Sequence, residues 1–317
     1  STSRDGIVRL WRIDRMRHRS SYLVHDSTVT SVTILEPSSL VVSGARNGVI
    51  VVSEPESGTV RQRLTVGSTR IQGMAQLGPE RLVVAGEDGS LRFVTLGAEP
   101  RVEGQIDVSN TITALAKVGD RHCVVCDGTS TVFWVDLVAR TCTALRLQVE
   151  GEEDSVAWQA CAATGDLICL GSLDGRVVTL TLDPKSSQEP LRVQRELRVD
   201  GRVQLVALTH DKQRVIACTE EGPFYRFDLT SGALLRRYDG HGARPSGIAV
   251  ARQNGEFFTC AWNQSFMSWD ADIEESLLFS PEARTMLLCL ALSPTEDFIA
   301  LGGLDGRVHV LRATRTR

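Results

Sequence analysis

The stretch Leu301–Leu311, LGGLDGRVHVL, joins small residues, an Asp-Gly dipeptide and an alternating apolar and polar run. Such a combination predicts a β-hairpin. The same pattern recurs as STSRDGIVRLW (1–11), SGARNGVIVVS (43–53), VAGEDGSLRFV (84–94) and LGSLDGRVVTL (170–180), with weaker copies at 125–135, 218–227 and 259–269. The chain is therefore predicted to consist of one repeated unit.

The turn glycines, or the residues at their positions, mark the repeat: Gly6, Gly48, Gly89, Gly128, Gly175, Gly222, Gln264 and Gly306. They follow one another at intervals of 39 to 47 residues, a spacing typical of propeller blades of four short strands. No segment keeps the apolar period of an amphipathic helix over three turns, which excludes a helical solenoid. We therefore expect an all-β fold, a single β-propeller domain over residues 1–317.

With this spacing the chain resembles the WD40-repeat family over nearly its whole length. The best match has Gly240-His241 before an inner strand and Trp269-Asp270 at the end of a third strand. The resemblance implies a structural hydrogen-bond tetrad of His241, Thr259, Asn263 and Trp269. It also implies a non-enzymatic protein–protein interaction scaffold within a multiprotein complex, which binds partners through top-face loops and the rim.

The number of blades depends on how the ring closes. Six repeats are complete, and the two ends of the chain together hold one strand more than a seventh blade needs. Seven blades closed by strands from both termini are favoured, and eight blades completed by residues upstream of Ser1 are the alternative. Arg307–Leu311 and Ile7–Trp11 compete for the third strand of the closing blade. Because STSRDG resembles the end of an interrupted strand, we expect the domain to be part of a longer chain.

In the WD40 family, the residue before the turn Asp projects from the top face, where partners often dock. These positions are Arg4, Arg46, Glu87, Cys126, Leu173, Glu220, Trp262 and Leu304. Arg and Trp are enriched at binding hot spots, so Arg4, Arg46 and Trp262 are the first choices. Glu87 and Glu220 complete the predicted partner-binding set. The alternative interpretation is that these are solvated turn residues.

A second candidate surface is basic and lies where the two ends of the chain would meet. We call it the basic seam: Arg9, Arg12, Arg15, Arg17, Arg19 and Arg312. It suggests a nucleic-acid-contacting propeller as the alternative function. The net charge of −4 gives no indication of a polyanion-binding surface over the whole protein. A solvated edge that resists aggregation is the structural interpretation.

Catalytic and metal chemistry are not predicted. Cys123 and Cys126 have CxxC spacing, but residues i and i+3 of a strand face opposite sides, so joint zinc binding is not expected. The Asp of each Asp-Gly pair is interpreted as a turn residue. A propeller hydrolase or oxidoreductase would need metal ligands converging on the channel. We predict no cofactor, no small-molecule substrate, no membrane span and an intracellular protein whose cysteines are free thiols.

Overall fold

The computed structural model describes residues 16–147, 149, 156–182, 190–252, 255–269, 276–279 and 285–313. In these ranges every helix or strand that is assigned is a β-strand, and the strands form seven four-stranded antiparallel sheets. Each sheet is one blade. The all-β propeller prediction is confirmed.

In every blade the strands follow one another from the inner to the outer position. Blade 1 comprises β2 (Val29–Ile34), β3 (Val41–Ala45), β4 (Val49–Ser53) and β5 (Val60–Thr65), and blade 2 comprises β6 (Ile71–Gly78), β7 (Arg81–Gly86), β8 (Ser90–Thr95) and β9 (Arg101–Asp107). Blade 3 comprises β10 (Ala114–Val118), β11 (His122–Cys126), β12 (Thr131–Asp136) and β13 (Thr141–Arg146), and blade 4 comprises β14 (Trp158–Thr164), β15 (Leu167–Ser172), β16 (Arg176–Leu182) and β17 (Leu191–Arg198). Blade 5 comprises β18 (Val203–Leu208), β19 (Arg214–Thr219), β20 (Phe224–Asp228) and β21 (Leu234–Tyr238), and blade 6 comprises β22 (Pro245–Val250), β23 (Phe257–Ala261), β24 (Phe266–Trp269) and β25 (Ser276–Phe279). Blade 7 comprises β26 (Leu287–Leu292), β27 (Phe298–Gly303), β28 (Arg307–Ala313) and β1 (Met16–Leu23).

Blade 7 closes the ring with strands from both ends of the chain. β1 is its outer strand and pairs antiparallel with β28, so that Tyr22 lies opposite Val308. The preferred prediction of seven blades closed by both termini is confirmed. The third strand of this blade is β28, and the rival stretch Ile7–Trp11 lies outside the described residues. Closure pairs the free edge of the last blade.

Hydrophobic clusters of described residues join neighbouring blades, one cluster at each of the seven interfaces. Between blades 1 and 7, for example, Val29 and Val51 pack in one cluster with Phe298 and Val310. Full burial of a side chain of this kind contributes about 1.5–3 kcal/mol. The ring is therefore closed by packing as well as by strand pairing.

A β-bulge opens the inner strand of six blades. The register between first and second strands shifts at the second residue of the inner strand, as between Val29 and Ser31 in blade 1. A bulged residue is left out of the pairing, which re-aims its side chain.

The two faces of the disc follow from the antiparallel order. The turns between second and third strands, and the connections leading into the inner strands, lie on one face, which we call the top face. The turns between first and second strands, and between third and fourth strands, lie on the opposite, bottom face.

Candidate functional site

A repeated backbone hydrogen bond positions the residue that follows each second strand on the top face. Its N–H donates to the carbonyl of the residue just before the inner strand of the same blade, at 2.8–3.2 Å. The donor and acceptor pairs are Arg46 with Thr28, Glu87 with Arg70, Leu173 with Ala157, Glu220 with Arg202, Trp262 with Arg244, and Leu304 with Met286. This bond holds both residues of each pair on the top face, where the inner strands begin.

The described members of the predicted partner-binding set lie on this face. Arg46, Glu87 and Trp262 are exposed, and Glu220 is half-buried. Arg4 lies outside the described residues. The expectation for Cys126 was wrong: it is the last paired residue of β11, opposite Ala114, and its side chain is completely buried. In blade 3 the strand continues through the position that projects from the other blades.

Glu220 and Trp262 are brought together by an arginine that no sequence motif indicated. The guanidinium carbon of Arg244 lies 4.8 Å from the centroid of the Trp262 ring, in a cation–π contact. A nitrogen of the same guanidinium lies 3.3 Å from a carboxylate oxygen of Glu220, and another donates to Gln204 Oε1 at 2.8 Å. On its other side, Glu220 lies 3.9 Å from Arg202. These contacts link blades 5 and 6 across the top face.

Just inside the entrance, the second residue of each inner strand, or Thr113 in blade 3, forms what we call the mouth ring. Its members are Thr30, Gln72, Thr113, Gln159, Gln204, Ser246 and Leu288, one from each blade. They line a cavity of about 350 Å³ together with Arg70, Arg244 and Trp262. In the six bulged blades the bulge accounts for this arrangement, because it turns the side chain of the second residue into the channel.

A pattern in the inner strands of the sequence, separate from the spacing of the turns, indicates the mouth ring. The inner strands and their approaches read VTSV, IQGM, ITAL, WQAC, VQLV, PSGI and LLCL. The second position is polar in six of the seven, and three times it is Gln. Such a regular break in an apolar strand indicates a bulge or a lined channel.

Arg70 is the least compensated charge at the mouth. Its Nε is buried without a hydrogen-bond partner, and none of the ion pairs between described residues includes its guanidinium. Buried donors without partners are costly, and an arginine offers five N–H groups in a fixed fork. Arg70 therefore lines the cavity with a hydrogen-bond donor, Nε, that has no acceptor in the described part of this chain.

The tetrad residues form a buried network that supports the top face of blade 6. Trp269 Nε1 donates to Thr259 Oγ1 at 2.6 Å, and Thr259 Oγ1 lies 2.7 Å from His241 Nε2. Asn263 donates to the carbonyl of His241 at 2.9 Å, and Ser265, which the family pattern does not include, bonds both Asn263 Oδ1 and His241 Nδ1. Because Ser265 donates to Asn263, it accepts from His241 Nδ1–H, which leaves Nε2 of the neutral imidazole to accept from the Thr259 hydroxyl. Burial lowers the pKa of His241 to about 4.

The turn aspartates are engaged within their own turns. Asp88 accepts hydrogen bonds from Ser90 and Arg92. Burial alone would raise the pKa of Asp88, but these bonds outweigh it and lower the pKa to about 2. Asp305 accepts from the backbone N–H of Arg307 at 3.1 Å. These contacts are turn chemistry.

Cys123 and Cys126 pack into different inter-blade clusters, between blades 2 and 3 and between blades 3 and 4. Over the described ranges, no group of three or more His, Cys, Asp or Glu side chains is arranged to hold a metal ion. In the same part of the chain no helix is long and apolar enough to cross a bilayer.

Only part of the basic seam is described. Arg9, Arg12 and Arg15 lie outside the described residues, and Arg17 and Arg19 belong to β1, where Arg17 is paired with Arg312 of β28. The guanidinium of Arg312 forms an ion pair with Glu56 of blade 1. The nucleic-acid alternative therefore stays a prediction, and this ion pair does not favour it.

Comparison with known proteins agrees with the fold. No family model matches the chain. The chain is similar to the protein groucho of Drosophila melanogaster, with 26% identity over 110 residues, which is 35% of this chain and 15% of groucho. The chain thus spans a small part of that relative. Seven four-stranded blades and this partial match together support a WD40-repeat β-propeller fold for the chain.

Proposed function

We propose that this propeller is a non-enzymatic interaction module that holds a partner protein on its top face within a multiprotein complex. The observation that carries the proposal is the convergence of Trp262, Arg244 and Glu220 beside the open cavity of the channel mouth. Trp and Arg are the residues most enriched at binding hot spots. Loops on a rigid scaffold are where binding residues concentrate.

Arg46 and Glu87 extend the proposed surface over blades 1 and 2. Both are exposed, and each is held by its backbone hydrogen bond at the start of an inner strand. A partner that covers the mouth would meet these charges at the edge of its footprint. Charges at such an edge influence the association rate more than the final affinity.

We also propose an intracellular location. All eight cysteines are free thiols. Unpaired cysteines in this number are typical of proteins kept in a reducing compartment. Fractionation of cells that express the protein tests this, and recovery from the culture medium would contradict it.

The function is tested by affinity purification of the full-length protein from cells that express it, with identification of partners by mass spectrometry. Trp262→Ala is expected to reduce the captured partner at least tenfold, as for a hot-spot tryptophan, with no change in melting temperature. Val138→Ala is the matched control, because Val138 is a 73% exposed apolar residue in a bottom-face turn. Equal capture by the wild type and Trp262→Ala would contradict the proposed site.

A further inference from the structure

The electrostatic character of the channel mouth indicates what kind of group enters it. The cavity lining includes Arg70 and Arg244 and no carboxylate from the described residues. Arg244 shares its charge with Glu220, whereas Arg70 has no such partner in the same part of the chain. The mouth therefore carries about one uncompensated positive charge in a partly buried setting, where a charge-assisted hydrogen bond is strong.

The other polar groups of the mouth divide into used and available ones. Thr30 Oγ1 donates to the carbonyl of Ile71, and Ser246 Oγ donates to that of Leu287, each at 2.6 Å. These hydroxyls fasten neighbouring blades together. The side chains of Gln72 and Gln159 make no hydrogen bond to any described residue, so their amides remain available. An amide offers both a donor and an acceptor, which suits a peptide backbone.

An apolar sector borders the charged one. Trp262, Met286 and Leu304 are 42%, 42% and 48% exposed, and all three belong to the top-face pairs of blades 6 and 7. Leu288 continues this sector into the mouth ring. Large apolar side chains exposed together indicate an interaction surface.

We propose, resting on the function proposed above, that the channel mouth binds an extended acidic peptide segment of the partner. An Asp or Glu carboxylate of this segment pairs with Arg70. A neighbouring bulky apolar side chain of the segment packs on Trp262, Met286 and Leu304. The Gln72 and Gln159 amides bond the backbone of the segment. A cavity of about 350 Å³ lies within the range of pockets that enclose a small ligand, roughly 300–1,000 Å³.

The observations favour a carboxylate over a phosphate. A phosphate group carries nearly two negative charges, whereas the mouth has one unshared guanidinium. They also disfavour a nucleic-acid strand, which needs a positive groove along its backbone. Glu87 and Glu220 stand on the same face and would repel the successive phosphates of such a strand, whereas the proposed segment needs only one carboxylate at Arg70.

Phage display of random heptapeptides on the purified propeller tests this inference. Enriched peptides are expected to carry Asp or Glu next to a bulky apolar residue. The consensus peptide, synthesised with a fluorescein label, then serves in anisotropy titrations. Arg70→Gln is expected to weaken its binding about 10- to 100-fold, the loss typical of a charge-assisted hydrogen bond. Arg70→Lys should restore part of the affinity, because it keeps the charge but not the fork.

Arg101→Gln is the matched control, since Arg101 is exposed on the outer strand of blade 2, and it should bind like the wild type. Melting temperatures of all variants verify that each is folded. If Arg70→Gln unfolds the protein, the test uses Arg70→Lys and the salt dependence of peptide binding by the wild type instead. Peptide affinity that is unchanged in Arg70→Lys and insensitive to salt then overturns the inference.

Enrichment of neutral or basic peptides, a requirement for phosphopeptides or oligonucleotides, or unchanged binding by Arg70→Gln overturns the acidic-peptide inference. When such peptides still lose binding in Trp262→Ala, the proposed function stands and only its ligand class is wrong. No enrichment above the bare support, or binding indifferent to both Trp262→Ala and Arg70→Gln, overturns the inference and contradicts the top-face site as well.

Discussion

The two ends of the central channel are built from the same seven inner strands but handle charge in opposite ways. At the top, the described residues that line the cavity include Arg70 and Arg244 without a carboxylate. At the bottom, a cavity of about 230 Å³ is lined by Glu36, Arg252 and Glu296. There Arg252 binds Glu36 at 2.9 Å, and its backbone N–H donates to Glu296. The bottom satisfies its arginine internally, while the top leaves one for a partner.

The two channel ends show that equivalent positions of a repeated fold can have different binding properties. All seven blades have the same four-stranded order, so the distinction depends on which residues occupy equivalent positions. Bulges direct the side chains of the upper channel inward, and an ion pair between blades 1 and 6 lies at its lower end. Substitutions that alter one end at a time can therefore separate the two.

The protein is expected to lose several kcal/mol of stability in mild acid, because two buried neutral imidazoles support the top face. His25 and His241 precede the inner strands of blades 1 and 6, and the pKa of each is lowered to about 4, at His241 by burial and at His25 by burial together with the nearby Arg63. The folded-state pKa lies below the unfolded value of about 6.5, so the unfolded chain binds protons first. Stability is fully present above pH 6.5 and is lost as the pH falls towards 4.

Between pH 7 and pH 5 we expect the free energy of unfolding to fall by roughly 2 kcal/mol for each histidine. Urea denaturation at pH 7, 6 and 5 measures this. The double variant His25→Gln/His241→Gln should show a shallower pH dependence, although it is less stable at pH 7. A pH dependence as steep as that of the wild type would contradict this assignment.

One glycine on each face allows the steric tightness of the top-face and bottom-face turns to be compared. Gly306 in the top-face turn of blade 7 has φ of 79°, and a Cβ there would lie 2.4 Å from the carbonyl oxygen of His25. Gly119 in a bottom-face turn has φ of 56° with no described atom within 4 Å. We expect Gly306→Ala to cost about 3 kcal/mol and Gly119→Ala about 1 kcal/mol, since only the first adds a backbone clash to the strain. Equal losses in denaturant unfolding would show that the top-face turn is not the tighter one.

The fold was predictable from the sequence because its signals are local and repeated. An Asp-Gly turn such as Asp305-Gly306 depends on its own few residues, and its recurrence established the propeller. Trp262 and Glu220 were identified by the same register. Arg70 and Arg244 were not, because each precedes an inner strand in a connection without a motif. Their place in the candidate site arises from the closed ring, which brings residues of separate blades around one mouth.

A carboxylate introduced at the top would neutralise Arg70 there, as Glu36 neutralises Arg252 at the bottom. Gln72→Glu puts a carboxylate into the cavity that Arg70 lines. This carboxylate should occupy Arg70 and repel an acidic peptide, weakening binding about tenfold with little change in stability. Gln213→Glu makes the same change in an exposed bottom-face turn and should leave peptide binding intact. Anisotropy titrations of the display-selected peptide against both variants decide, and equal affinities would contradict the role of charge at the mouth.

The smallest effect is expected at the bottom. Glu36→Gln keeps a side-chain acceptor for Arg252 but removes the charge of a pair whose partners are both about half exposed. Exposed pairs of this kind contribute about 0–1 kcal/mol, so the free energy of unfolding should change by less than about 1 kcal/mol. Affinity for the acidic peptide should not change, because the described residues at the bottom include neither the glutamine-rich ring nor the tryptophan of the top. Denaturant unfolding measures the change in stability, and anisotropy measures the affinity for the peptide. Tighter peptide binding by Glu36→Gln would place the peptide at the bottom of the channel instead of the top.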